Sequence, residues 1–426
     1  MPPYTIKERT MKIQSLTGTR DFYPEEMRLL NFIFSIWRNA AEKYGYNEVE
    51  GPMLEPADLW KQKGELSEQM YNFKDKGERE VAIRPEFTPT LARMVAQKQK
   101  ALSKPIRWYG ITRCWRYERP QAGRLREFFQ FNIDCLGTES MKADAEIIAV
   151  AVEILKQLNV TPKEAYIRIS NRKLMKGLLE EIGIDDTTEV SKAIDKKDKL
   201  SEKEFEKMLE DIGLKKEQAF GLKDILNINK IETLERQEMN ETTKKGLDEI
   251  KELFTYLNAY GIEEYCELDT TIIRGLDYYT GTVFEVFDRS KKLRAIAGGG
   301  RYDNLVADFG GEKCPGVGLG MGDVVLQLFL KDKNKLPQAT KKIDYYVAPI
   351  SEDVVAKAIA ITQKLREKNN VEMDMNCRGL TKQLDYANSI GAKKVVIVGE
   401  KDLKQGKVTV KDMTTGKDEK LEVKSL

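Results

Sequence analysis

Five stretches of this 426-residue chain hold residues whose types and spacing could do chemistry. "RCWRYERPQAGRLREFFQFNID", residues 113–134, sets Arg113, Arg116, Arg119, Arg124 and Arg126 around Glu118 in a strand–loop–strand pattern. Five guanidiniums within fourteen residues do not suit a core strand. Planar, bidentate donors of this kind suit phosphate, and the alternative is a salt-bridged surface hairpin. On the return strand Phe128, Gln130, Asn132 and Asp134 alternate and so face one way. "AIRPEFTPT" places Glu86 and Thr88 two apart, which in an extended strand puts a carboxylate and a hydroxyl on one face, a seat for an ammonium group; it also reads as a strand end leading into a helix near residue 90. "RGLDYYTGTVFEVFD", residues 274–288, crowds Arg274, Asp277, Tyr278 and Tyr279 beside Gly275 and Gly281; taken alone, it also reads as a tight turn with packed tyrosines. "PGVGLGMGD", residues 315–323, alternates Gly316, Gly318, Gly320 and Gly322 with Val317, Leu319 and Met321. As a strand it would offer an all-glycine floor for a planar base or sugar, with Asp323 free to cap the helix that follows. Its glycine spacing does not fit a dinucleotide fingerprint. "AGGGRYDNL" adds Gly298 to Gly300 before Arg301, allowing close backbone approach beside a positive charge.

These stretches need a frame. Residues 24–44 predict a helix: Pro24 suits its first position, Glu25 and Glu26 its positive end, and Leu30, Ile33, Trp37 and Ala40 repeat at helical spacing. Strand patterns follow near 81–84, 106–117 and 125–135, with a helix over 141–158 opened by Ser140. Residues 171–258 turn dense in Lys and Glu at helical spacing, which predicts a helical insertion. Strand patterns return at 265–287 and 293–297. From Ile343 strands and helices alternate, closing on a hairpin at "TTGK", the signature of a small α/β domain with a parallel or mixed sheet. Residues 341–426 hold 17 Lys and Arg against 13 Asp and Glu, an excess that fits an RNA partner and a solvated surface about equally.

Composition excludes several classes. The chain has no histidine, which removes Ser-His triads and His-based zinc sites. Its five cysteines are scattered without a CxxC pair, which predicts reduced thiols and no metal held by histidine or cysteine. Neither a membrane-length apolar run nor a signal-peptide core is present, so a soluble cytoplasmic protein without membrane contact is expected. At 71 basic against 69 acidic residues, no global polybasic character points to nucleic acid.

The ensemble resembles the class II aminoacyl-tRNA synthetases, and within them the histidyl-tRNA synthetases, over essentially the whole chain. "GTRDFYPEEMRLL" with "YGYNEVEGPMLEP" resembles the dimer-forming first motif, and residues 113–134 the ATP-binding second motif. "RGLDYYTGTVFE" and "AGGGRYDNL" resemble the stretches marking the histidine-specific branch. The tail, with "GAKKVVIVGE" and "VTVKDMTTG", resembles an anticodon-binding domain. The resemblance implies an α+β (broadly α/β) fold: an antiparallel-sheet catalytic domain at 1–170 and 259–335, a helical insertion domain at 171–258 and an α/β anticodon-binding domain at 341–426.

It further implies activation of L-histidine with ATP and Mg2+, transfer to histidine tRNA, and a homodimer. Glu86, Phe87, Thr88 and Gln130 would hold histidine at its backbone end, and Asp134, Tyr278 and Tyr279 would read the imidazole. Arg116 and Arg274 would be catalytic, meeting the α-phosphate and the substrate carboxylate. Glu118, Arg124, Gly320 and Gly322 would join Arg116 around ATP, and Arg119 and Gln121 would meet the tRNA acceptor end. Two departures stand out. The third motif of the family usually ends in Glu-Arg, the arginine lying against the nucleotide, whereas Val324 and Val325 stand here; and Asp134 replaces the commoner Glu. The competing readings are a catalytically silent relative, the regulatory subunit of ATP phosphoribosyltransferase, and an uncharged-tRNA sensor module. The first lacks the tail and the histidine-specific residues, and the second normally adjoins a kinase domain that this length does not accommodate.

Overall fold

The computed structural model describes residues 13–61, 65–197, 200–235, 238–272, 278–337 and 343–426. Two compact units divide the chain, Met1–Leu336 and Pro337–Leu426. In the first, the opening helix Pro24–Lys43 forms where its apolar stripe and Pro24 predict it, burying Leu30, Ile33, Trp37, Ala40 and Ala41. Strand β1 (Asn47–Glu48) is followed by β2 (Leu54–Pro56), β3 (Tyr71–Lys74) and β4 (Glu80–Ile83), the last three forming a small antiparallel sheet ordered β2-β4-β3. Long strands β5 (Ile106–Trp115) and β6 (Glu127–Leu136) make the expected hairpin across the 116–126 loop.

Helix Met141–Gln157 then runs to β7 (Ala165–Asn171), its N-terminus capped by the Ser140 hydroxyl, which accepts from the Lys142 amide. After the helical segment come β8 (Cys266–Leu268), β9 (Thr282–Asp288), β10 (Ala297–Tyr302) and β11 (Gly316–Gly322). One eight-stranded sheet results, ordered β1-β5-β6-β11-β10-β9-β7-β8, antiparallel except for the outermost pair at each edge. The strand pattern read across 265–287 is therefore two strands, and the one placed at 293–297 begins later, on the glycines of "AGGGRY".

Alternation along β6 and β11 divides the sheet into two faces. Phe131, Ile133 and Cys135 of β6 and Val317, Leu319 and Met321 of β11 enter the core. Against them lies Trp37, its ring stacked on Phe131 at 5.7 Å and its indole N–H directed at the Met321 sulfur 3.3 Å away. The opposite face carries Gln130, Asn132, Asp134 and the glycines. A Trp37→Ala cavity here would cost about 3–5 kcal/mol, so one side of the sheet is rigidly backed.

The segment between β7 and β8 contains the helices Arg172–Glu181, Thr188–Lys196, Glu202–Asp211, Lys216–Leu226, Ile231–Leu234 and Glu241–Ala259. Its apolar residues Phe205, Leu209, Leu222 and Leu253 are continuous with the core of the first unit. Helices Arg172–Glu181 and Glu241–Ala259 cross at Gly177 and Gly246, where a Cβ on either would overlap the facing backbone. The second unit holds β12 (Ile343–Pro349), β13 (Val371–Met373), β14 (Ala392–Val398), β15 (Lys407–Asp412) and β16 (Asp418–Glu422) in one sheet ordered β13-β12-β14-β15-β16. Its first three strands are parallel and the last two antiparallel. Among the described residues no helix is long and apolar enough to cross a membrane.

Candidate functional site

The glycine face of β11 is where the site is built. Register pairs Gly318 with Asp134, Gly320 with Asn132 and Gly322 with Gln130. A Cβ at Gly318 would overlap the Asp134 carboxylate, and one at Gly320 would stand 2.9 Å from the Gln130 amide nitrogen. A Cβ at Gly316 would fall 2.8 Å from the Tyr302 ring. The expected bare floor is thus partly tiled: at Gly316, Gly318 and Gly320 glycine makes room for protein side chains, and only Gly322 has nothing within 4 Å.

Asp134 is held by this packing. It is 1% exposed, and its Oδ1 accepts a 2.5 Å bond from the Tyr302 hydroxyl. Its Oδ2 has no hydrogen-bond partner among the described residues, and neither does Oδ1 of neighbouring Asn132. Buried acceptors are normally satisfied, so an unmatched carboxylate oxygen marks a place for a donor that arrives with a ligand. Burial pushes the Asp134 carboxyl up to about 7, the Tyr302 bond pulling against it and nearby Glu86 adding to the rise.

Glu86 and Thr88 are buried close by, but not as strand neighbours. Strand β4 ends at Ile83, and Thr88 opens the helix Thr88–Lys98 with Pro89 in its first turn. The two prolines of "RPEFTP" explain the break, since proline lacks the N–H a sheet ladder needs and suits a helix start. Tyr278 donates to Glu86 Oε2 at 3.5 Å, and its ring meets Tyr279 at 4.9 Å and Tyr302 edge-on at 5.8 Å. Tyr279 lies against Gly300, where a Cβ would come within 2.8 Å of its ring. Phe87 is fully buried in a core cluster with Leu91, Val95 and Tyr279. Arg274, Gly275 and Asp277 lie outside the described residues.

Of the five arginines of the 113–126 stretch, three are engaged. Arg113 pairs with Glu127 and lies over Phe129; Arg124 pairs with Glu118 at 2.5 Å; Arg126 lies over Tyr117. Arg116 is oriented without a carboxylate among the described residues: its Nε donates to the Pro85 carbonyl at 3.0 Å and its guanidinium covers the Phe128 ring at 5.2 Å. Arg119 and Gln121 are exposed on the loop. Arg301, which the sequence suggested as a charge beside the glycines, is instead structural. It is 2% exposed and bound to the fully buried Asp144 of the helix Met141–Gln157. Asp323 likewise is no cap: Gly322 occupies that position, while Asp323 accepts from the Phe129 amide and pairs with Arg20 at 2.9 Å.

A cavity of about 900 Å³ opens on this face. Arg116, Glu118, Arg124, Gln130, Gly320 and Gly322 all line it, as do Val324 and Val325. It also takes residues that were not singled out from the sequence: Arg168 on β7, Glu285 and Phe287 on β9, and Arg294 from the β9–β10 connection. The signal available for Arg294 was a single arginine three residues ahead of the glycine strand. Cations and dispersed polar groups over glycine backbone fit a polyanion carrying a flat group. No group of three or more Asp, Glu or Cys that could hold a metal occurs among the described residues.

Comparison with known proteins extends these observations. Residues 18–322 match the family described as "Histidyl-tRNA synthetase", and residues 344–426 the one described as "Anticodon binding domain". The histidine–tRNA ligase of Haloarcula marismortui is 41% identical over 409 residues, covering 94% of each chain. That of Leptospira biflexa is 38% identical over 418 residues, covering 96% of this chain and 95% of its own. The crystal structure of histidyl-tRNA synthetase from Nostoc sp. PCC 7120 matches with a TM-score of 0.83 at 26% identity, over 97% of this chain and 98% of that one. A Bacillus halodurans structure described as "an ATP phosphoribosyltransferase regulatory subunit/histidyl-tRNA synthetase" has the same fold, with a TM-score of 0.76 at 22% identity over 91% of this chain and 98% of that one.

Proposed function

The chain belongs to the histidyl-tRNA synthetase family, and on that premise we propose how its residues divide the work. The activity is that of a histidine–tRNA ligase: histidine is activated with ATP and transferred to tRNA, with an anticodon-binding unit at the C-terminus. The silent-relative reading is not favoured.

In the proposed assignment the imidazole enters over Gly318 and gives an N–H to Asp134 Oδ2, with Tyr278 and Tyr279 enclosing the ring. The unmatched, buried Asp134 oxygen is the observation that carries this pose. Glu86 and Thr88, with Gln130 opposite, receive the α-ammonium group, and Phe87 contributes its backbone, its ring being buried in the core. Arg116 holds the histidine carboxylate against the α-phosphate. A carboxylate oxygen attacks that phosphorus, pyrophosphate leaves, and the charge growing on the five-coordinate phosphorus is met by Arg116 and by Arg274. Glu118, Arg124, Gly320 and Gly322 border the nucleotide, and Arg119 and Gln121 reach the tRNA acceptor end.

Magnesium fits as an ion carried in with the nucleotide, since phosphate oxygens supply most of its shell in such sites. Glu118 and Glu285 are the carboxylates of the cavity wall that could complete that shell. When bound, it would neutralise charge on the leaving pyrophosphate. The proposal extends to a cytoplasmic homodimer. Exposed Met53, Leu54 and Phe73 on and beside the small sheet are apolar surface a partner could cover. Functionally, 171–258 is assigned as an insertion within the catalytic part and 341–426 as the anticodon reader. Histidine-dependent exchange of pyrophosphate into ATP tests the reading. Its absence in the pure protein with Mg2+ would return the silent relative to consideration.

A further inference from the structure

Arg294 has no counterpart in the assignments above. It sits in the connection between β9 and β10, lines the same cavity wall region as Val324 and Val325, and makes no hydrogen bond or ion pair among the described residues. Its electrostatic neighbours are Arg124 and Glu118. The Glu118 carboxylate is already engaged by Arg124 at 2.5 Å. Glu118 is thus paired with Arg124, and Arg294, itself exposed, stands near that pair without an ion pair of its own among the described residues. Solvent screens much of the repulsion between guanidiniums exposed to this degree, and an anion arriving between them is attracted by both. Val324 and Val325 of the lining are apolar and Gly320 and Gly322 offer only backbone, while the second carboxylate of the lining, Glu285, belongs to β9.

We propose that Arg294 is a nucleotide-binding residue that, with Arg124, holds the β- and γ-phosphates of ATP at the end of the cavity away from Asp134. The proposal rests on the synthetase reading and adds to it the cation that the valines at 324 and 325 do not provide. A phosphate group is favoured over the adenine ring as the partner because a polyanion can engage Arg294 and Arg124 of the one cavity together, whereas the neutral base carries no charge for either. Lys291 and Lys292 line the cavity as well, but a guanidinium can bridge two phosphate oxygens at once, which an ammonium group does not.

The test uses the full-length protein and compares wild type with Arg294→Ala and Arg294→Lys. In histidine-dependent exchange, Arg294→Ala should raise the KM for ATP and for pyrophosphate by about tenfold each, the loss of one charge-assisted phosphate contact. The KM for histidine and inhibition by AMP should stay within about twofold of wild type, because neither ligand carries the β- and γ-phosphates. Arg294→Lys should fall between the two. An unchanged thermal midpoint establishes that the fold is intact, as expected for an exposed side chain without a hydrogen bond or ion pair among the described residues. The inference is overturned if the KM values for ATP and pyrophosphate do not move, if AMP inhibition weakens in parallel with ATP binding, or if only the KM for tRNA in charging rises. Absence of exchange in the wild type would instead refute the synthetase reading itself.

Discussion

Asp134 concentrates the residue-scale argument. A chain without histidine would ordinarily show little change in stability near neutral pH, because only the α-amino group has an unperturbed pKa there. Burial changes this by raising Asp134 to about 7. The unfolded carboxyl ionises near pH 4, whereas the folded one keeps its proton until about 7, so the native state binds the extra proton and stability falls as pH rises between those values. For the ligand-free protein we expect a loss of roughly 1 kcal/mol from pH 6 to 7.5 in denaturant titrations, levelling off above. Asp134→Asn should flatten that slope, and a slope that survives the substitution would assign it to another group. Arg274 lies outside the described residues, and its assignment depends on the motif alone. Arg274→Ala is expected to lower exchange by well over tenfold, more than about 1.4 kcal/mol of transition-state stabilisation, with an unaltered melting curve. A smaller loss removes Arg274 from the phosphate.

Elements were legible where local chemistry and tertiary structure agree. The opening helix, the β5–β6 hairpin and the glycine strand formed as their periodicities dictate, and with them Gln130, Asp134 and Gly320 came to one face. Three readings failed, one to flanking prolines and two to contacts distant in sequence. Glu86 and Thr88 left the strand because prolines flank them. Asp323 gave up its capping role because Arg20 and the Phe129 amide, far away in sequence, claim its carboxylate. Arg301 turned inward to Asp144. Arg294 was illegible for a related reason: only the sheet order brings the β9–β10 connection to the loop that carries Arg124. Glycine also acts at this scale in the helix crossing. Gly246→Ala should destabilise the first unit by about 1–3 kcal/mol through overpacking against Leu174. Urea denaturation checks this, and a neutral result would mean the two helices can separate without loss.

At the scale of the whole molecule, the chain has two compact units and every described residue lining the cavity belongs to the first. A chain ending at Leu336 should therefore retain most pyrophosphate exchange while losing most tRNA charging, because the second unit matches an anticodon-binding family. Parallel measurement of both rates decides it; equal losses would make the second unit a support of the catalytic fold. The division of labour was visible in the sequence as a change of pattern near Ile343, where strand–helix alternation begins. The extent to which the helical segment 172–259 shares its core with the sheet was not, because its Lys- and Glu-rich surface conceals the leucines beneath.

The pocket around Asp134 has one more property, and it is spectroscopic. Because the chain has no histidine of its own, a histidine molecule seated there would contribute the sole imidazole in the sample. Its ring protons and nitrogens would resonate in a window free of protein imidazole signals, so an unlabelled protein mixed with isotope-labelled histidine would display the proton shared between ring and carboxylate directly. The buried acid proposed to read the imidazole would thus sit beside its own reporter.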